Sequence, residues 1–455
     1  MGNYKAEHSV DVQKDVYNTV SRSWEEIYKS KLVSAEEAIT CIKDGDTVVT
    51  GFACGEPFGI ERALIENYKR FHDVKIVNML SLGSSPWCRP EMEGHFTLNC
   101  LFASNSNRMH IASGVADFTP INFSEIPEVI RDFIRPRVSV CMVSPPDSHG
   151  NVSFGTTVDY TKGTTDYTEV VIAQVNKYVP RTLGDSTKNV RDFTYFVEID
   201  EPLPEVKSVE ITDIERKIGK NCSSLINNGD CLQLGIGGIP DAICEELGDK
   251  KDLGLHSELV GDGVVKLLES GVINNKRKQL HKGKTVLGAA FGSKILFDYI
   301  NDNPAVEMHP IDYVNDPYVI AMNENVVSIN SCLQIDLLGQ VVADTIGLSQ
   351  VSAVGGQVDF IRGAAHSKNG RSIIAMTSTT KNDTISKIVP KITKYSAITT
   401  TRNDVHCVVT EYGIAYLKGR TLKERARELI KIAHPKFRPM LEAEFENRFH
   451  EKAFD

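Results

Sequence analysis

The ten cysteines are spread along 455 residues without a single CxxC pair, and none stands beside a histidine at metal-ligand spacing. That scatter excludes a zinc ribbon, a dithiol redox motif and a secreted disulfide framework; it reads as reduced thiols in a cytoplasmic protein with no metal. No apolar run approaches the roughly 20 residues that span a bilayer, so a membrane protein is not expected. Basic runs are equally scarce. The longest is Lys276-Arg277-Lys278, and the formal net charge is -9 with a pI near 5.8, which argues against nucleic acid and anionic membrane as partners. The opening MGNYKAEHSVDVQKDV has no apolar core of a signal peptide, and Ala6 stands where a myristoylation signal needs Ser or Thr. Residues 1–22 are therefore read as a loose leading segment.

What is present is a repeat. Residues 41–64, CIKDGDTVVTGFACGEPFGIERAL, resemble residues 225–247, LINNGDCLQLGIGGIPDAICEEL. Each has a helix end, Gly-Asp, a short apolar strand, a glycine turn with a proline, and an amphipathic helix. Gly45 aligns with Gly229, Asp46 with Asp230, Gly51 with Gly235 and Pro57 with Pro240. The period is too long for a solenoid, and the chain is too long for one ordinary core, so two similar domains in tandem are expected. Continuous apolar runs at 74–80, 138–144, 170–175, 326–330 and 372–377 suit strands covered on both faces, as in largely parallel sheets. The Pro- and acid-rich stretch at 198–215 is the natural connector. The expected division is 23–207 and 208–455.

Carrying the repeat one element further sets DVKIVNM, 73–79, against DLGLHSE, 252–258, so that Met79 stands where the second half has Glu258. A framework acid would be needed in both copies. An acid kept in only one, inside the apolar run GLHSELVGDG, points to chemistry. Next to it GIGGIPDA, 235–242, follows a strand and opens a helix; its glycines let backbone approach a ligand and its free N–H groups favour an anion. Pro240 suits the start of that helix. A dinucleotide fingerprint is the rival reading, with Glu258 near the distance of a ribose-binding acid, but the third glycine is replaced by Pro240. A bare strand-to-helix turn is the other alternative.

Together GIGGIPDA, HSELVGDG and GGQVDFIRGA (355–364) resemble the acetyl-CoA hydrolase and CoA-transferase family, over nearly the whole chain from residue 23 to 449. The resemblance implies an α/β fold of two tandem, similar, open domains of the NagB/RpiA-like CoA-transferase type. It implies that Glu258 is a nucleophile that becomes a glutamyl-CoA thioester, that Gly235, Ile236, Gly237, Gly238 and Ile239 contact CoA, and that the Gly356 amide and Asn315 form an oxyanion hole, with Gly355 beside them. It further implies acyl-CoA and short-chain carboxylic acids as substrates, 4-hydroxybutyrate or butyrate with acetate, no permanently bound cofactor, and a homodimer. The ACGEP and SNSNRM segments, with Glu56 and Asn105, are expected at the acyl group.

The chemistry suits these residues. A carboxylate that attacks a thioester gives a mixed anhydride, and the freed thiolate can then take the glutamyl carbonyl, storing the activated acyl level without a metal or a general base. An acyl-CoA hydrolase with water as acceptor would use the same residues; a CoA-binding sensor would need the glycine turn alone. Lys381 is expected either at a phosphate or in solvent. His256 is expected to be a hydrogen-bonded core residue rather than a reactant. Ser257 has no GxSxG elbow around it. Glu411 is expected to be structural, and Asp262 to cap the helix that follows it.

Overall fold

The computed structural model describes residues 22–454, so the proposed leading segment lies outside the described residues except for Arg22. Seven strands build the first sheet: β1 Thr47–Thr50, β2 Val74–Asn78, β3 Phe96–Cys100, β4 Ala116–Phe118, β5 Val138–Val143, β6 Val170–Val175 and β7 Tyr195–Glu198. Eight build the second: β8 Cys231–Gln233, β9 Gly254–Val260, β10 Thr285–Ala290, β11 Val306–Met308, β12 Val326–Asn330, β13 Arg371–Ala375, β14 Cys407–Thr410 and β15 Gly413–Tyr416. Their spatial orders are β4-β3-β2-β1-β5-β6-β7 and β11-β10-β9-β8-β12-β13-β14-β15. Every strand in both is parallel to its neighbours except β15, which pairs antiparallel with β14.

The expected pair of similar α/β domains with largely parallel sheets is what the chain forms. β5 and β6 are buried at every residue, as continuous apolar runs require when helices cover both faces. Register extends the likeness to single residues. Val48 pairs with Ile76 in the first sheet and Leu232 with Leu255 in the second, so Met79, one residue past β2, falls at the same step along the chain as Glu258 in β9. Even the turn before each first strand is held alike. Asp46 accepts from Lys43 N and from Arg137 Nε, Asp230 from Asn227 N and from Arg371.

The connector has no regular structure between β7 and helix α1, Asp213–Ser223, which a capping box of Thr212 and Glu215 opens. It is not a free tether. Leu203 is buried, and Val206 N donates to Gly292 O, so the strap lies along the second half. The halves also share a core, in which Val143 and Phe196 belong to the same buried cluster as Leu232 and Ile329. No helix of the described residues is long and apolar enough to cross a membrane.

Candidate active site

Glu258 is the fifth residue of β9 and points into a cavity of about 270 Å³ between the halves. The first half contributes Phe52, Met79, Leu80, Phe102 and Phe123; the second contributes Gln233, Leu234, Gly235, Ile236, Asn330 and the 353–357 loop. Met79 and Glu258, equivalent in the repeat, thus face one space.

Two donors meet the carboxylate. Asn315 follows the short helix α3, Ile311–Val314, and its Nδ2 donates to Glu258 Oε2 at 2.8 Å. (Helix α2, Gly238–Glu245, precedes it in the chain.) Gly356 caps helix α4, Gln357–His366, and its backbone N–H also points at the carboxylate. A Cβ on Gly356 would overlap Glu258 Oε2 and Asn315 Nδ2, so any side chain there displaces the carboxylate or the amide that bonds it. Gly355 has φ +53, a left-handed conformation that glycine adopts freely.

Burial sets the protonation. Desolvation raises the Glu258 pKa to about 8, against the opposing hydrogen bonds from Asn315 and Gly356; the nearby Asp359 and Asp159 add repulsion. Asp359 is itself pushed up to about 6 and Asp159 to about 7, both mainly by burial. Asp359 accepts from Ser124 N (3.0 Å) and Ser124 Oγ (2.9 Å), and Phe123 N donates to Gly355 O (3.2 Å), so the first half is latched onto the loop that carries Gly356.

Gly235 and Ile236 line this cavity and also a second of about 370 Å³, whose wall includes Gly238, Ile239, Pro240 and Asn330. Gly237, at φ +110, makes the turn into α2. The carboxylate of Glu215 lies against Gly238, where a Cβ would overlap it. An acid at this helix start disfavours a phosphate there and suits an uncharged, amide-bearing arm.

Other expected residues fall elsewhere. Glu56 is buried but does not line the cavity of Glu258. It is paired with Glu61, and desolvation holds its pKa well above the carboxylate range while Glu61 rises to about 7. Asn105 is exposed and accepts from Arg108 Nη1. The Lys381 side chain lies outside the described part of the structure. Glu411 accepts from Ser378 N (2.9 Å), a structural task. Ser257 bonds to Leu234 N and O, stitching β9 to the end of β8. Asp262 is a correction. It caps nothing of its own; its Oδ1 accepts from Ser293 N, because the chain turns at Gly261 and the following helix needs no side-chain cap.

The sequence reading missed Gln233, Asn330 and the aromatic wall. Gln233 had a signal, a lone polar residue in CLQL; its Oε1 accepts from Ile329 N at 3.0 Å. Two more repeats were also legible. TPINFSEIPEVI, 119–130, parallels HPIDYVNDPYVI, 309–320, and GTTVDY, 155–160, parallels GGQVDF, 355–360. They set Glu125 against Asn315 and Thr156 against Gly356. His281, Glu307 and His309 also converge. His281 Nδ1 lies 2.6 Å from Glu307 and its Nε2 2.6 Å from Tyr313 Oη, a spacing of hydrogen bonds that occupies both ring nitrogens.

Sequence models of the acetyl-CoA hydrolase/transferase N-terminal and C-terminal domains match residues 15–207 and 292–445. The 4-hydroxybutyrate coenzyme A transferase of Clostridium kluyveri is 50% identical, over 94% of this chain and 100% of that protein. A succinyl-CoA:cyclohexane-1-carboxylate CoA transferase of Geobacter metallireducens is 42% identical, over 92% and 95%. Among solved structures, the 4-hydroxybutyrate CoA-transferase of Porphyromonas gingivalis superposes with TM-score 0.83 at 42% identity, covering 94% of this chain and 100% of that one.

Proposed function

The chain belongs to the acetyl-CoA hydrolase/transferase family and is an enzyme of the CoA-transferase type, and from that premise we propose that it moves CoA between short-chain carboxylates through a thioester on Glu258. The observation that carries this reading is a lone carboxylate at a mainly apolar cavity, held by the Asn315 amide 2.8 Å away and approached by the bare backbone of Gly356.

The ionised Glu258 attacks the acyl-CoA carbonyl, the C–S bond breaks, and a mixed anhydride and CoA thiolate result. The thiolate then attacks the glutamyl carbonyl, expelling the first acid as a carboxylate and leaving glutamyl-CoA. An incoming carboxylate reverses both steps, so no proton is consumed overall. Each attack develops an oxyanion, and donors such as Asn315 and Gly356 contribute on the order of 3 kcal/mol apiece to such a transition state. Desolvation serves twice: it makes the carboxylate more reactive, and it keeps water from the anhydride and thioester. The walls of Phe52, Phe102, Phe123 and Leu80 provide that dryness, which favours transfer to an acid over hydrolysis.

The second cavity is assigned to the pantetheine arm of CoA, whose inert remote contacts help drive the covalent steps. 4-Hydroxybutyrate with acetate is the proposed pair, on the strength of the relatives named above, with butyrate next. The assembly is proposed as a homodimer, which light scattering would test. The reading itself is tested by incubating the protein with butyryl-CoA and no acceptor, reducing with borohydride, and sequencing the peptide containing residue 258 by mass spectrometry. Reduction of Glu258 to the alcohol is expected. An unmodified Glu258 in a preparation that transfers CoA would sink the covalent mechanism.

A further inference from the structure

Resting on that reading, we propose that His256 is a positioning residue that holds both donors of the oxyanion hole while never touching substrate. His256 lies two residues before Glu258, on the same face of β9, and is fully enclosed. Its Nε2 is 2.8 Å from the carbonyl oxygen of Val314, the residue before Asn315. A carbonyl can only accept, so Nε2 carries the proton and the ring is the neutral Nε2–H tautomer. The same ring packs edge-on against Phe360, centroids 6.2 Å apart, in the first turn of α4, the helix that starts at Gly356. One side chain therefore braces the two segments that present the Asn315 amide and the Gly356 N–H.

Two further observations separate this from an ordinary core histidine. Among the described residues Nδ1 has no partner, and an orphaned buried nitrogen costs stability that an apolar side chain of similar size would not. The repeat supplies that comparison, for the residue at the same step of the first sheet is Val77, fully buried and apolar. The first half, which has neither Asn315 nor Gly356 at the matching places, does without the imidazole. The histidine is found only where there is an oxyanion hole to hold. Nor does it serve as acid or base: burial, with the Lys278 ammonium nearby, pushes its pKa down to about 3, and it does not line the cavity.

The test uses the full-length enzyme with His256→Leu, His256→Asn and His256→Gln. Gln places an amide N–H near the position of Nε2; Asn falls short of Val314, and Leu has no donor. The Leu and Asn variants are expected to lose about 10- to 100-fold in kcat, the order of cost of a small misplacement of catalytic groups, with KM for acyl-CoA within about twofold of the parent. Gln is expected to recover most of the loss and to leave the pH profile unaltered. Parental kcat in the Leu or Asn variant, or a Gln variant as slow as both, overturns the proposal. Crystal structures of the Leu and Asn variants decide it independently of the chemistry, since an Asn315 amide still 2.8 Å from Glu258 there overturns it and a displaced one supports it. A parental enzyme that forms no adduct on Glu258 instead overturns the covalent mechanism and leaves this structural result standing.

Discussion

The two halves of the chain share a strand order and a register, yet they meet one cavity with different chemistry. Where the second half has Glu258, Asn315, Gly356 and His256, the first has Met79, Glu125, Thr156 and Val77. Met79 lines the cavity as apolar wall, Glu125 is exposed, and Thr156 carries a side chain where the second half needs bare backbone. A fold that can be built twice thus needs none of the four catalytic-side residues for its own sake. Their presence in one copy alone points to function rather than framework, and the copy without them lines the same cavity with Phe52, Met79, Leu80, Phe102 and Phe123.

The comparison is broken most severely by moving the acid. Glu258→Ala is expected to lower transfer by at least about 10⁴-fold, as loss of a covalent nucleophile does. Met79→Glu added to Glu258→Met should remain as inactive, because position 79 faces the same space with no amide aimed at it. Recovery of even a few per cent of activity in that double variant, measured as acetate-dependent CoA exchange, would show that the location of the donors matters little.

Exchanging the backbone feature is the next largest effect. Gly356→Ala would force a methyl onto the Glu258 carboxylate and the Asn315 amide, and kcat is expected to fall about 10²- to 10³-fold, the range for a lost oxyanion donor. Its mirror image, Thr156→Gly, is expected to leave kcat within about threefold, since that backbone is engaged by Ala290 N rather than by substrate. Equal losses in the two variants would mean that Gly356 matters for packing alone.

Much of this difference could be read in the sequence and some could not. The Gly-Asp turns, the parallel strands and the pairing of Met79 with Glu258 follow from period and alignment, which are local. Asn315 and Gly356 follow from family resemblance, and the repeats at 119–130 and 155–160 single out the same two positions. The task of His256 was not legible, because a bond to the carbonyl of a residue 58 positions away depends on how β9 and α3 pack. Glu56 shows the same dependence on packing. An acid in a glycine-rich turn looks like a ligand-binding group, and packing sets it against Glu61 of the helix that begins at Phe58. Asp262 fits every statistical preference for a cap, and the loop geometry sends it to Ser293 instead.

A smaller effect concerns protonation, where the halves differ because only one sets an acid at the cavity. The proposed attack requires an ionised Glu258, whose pKa stands at about 8. kcat/KM should therefore climb roughly tenfold per pH unit below that value and level off above it. Stability runs the other way. The folded pKa exceeds the unfolded one, so the contribution of Glu258 is fully present below about pH 4.5 and is lost as pH rises through 8. Glu258→Gln is expected to melt at a higher temperature than the parent at pH 9, with the difference shrinking towards pH 5. A kcat/KM profile already flat from pH 5 upward would show that Asn315 and Gly356 outweigh desolvation.

The mildest change tests what the first half does with the position it left apolar. Met79 and Leu80 line the same cavity as Glu258, and the flexible thioether can yield to acyl groups of somewhat different shape. Met79→Ala would open room beside the reacting carbonyl without touching the carboxylate, its donors or the Ser124–Asp359 latch. A hydrophobic pocket discriminates by roughly 1 to 3 kcal/mol per methylene, so the ratio of kcat/KM for hexanoyl- over butyryl-CoA is expected to rise about tenfold, mostly by gain on the longer chain. An unchanged ratio with both substrates slowed alike would move the specificity wall to the aromatic residues Phe52, Phe102 and Phe123. It would also leave Met79 as filler just past β2, at the step that the repeat matches to Glu258.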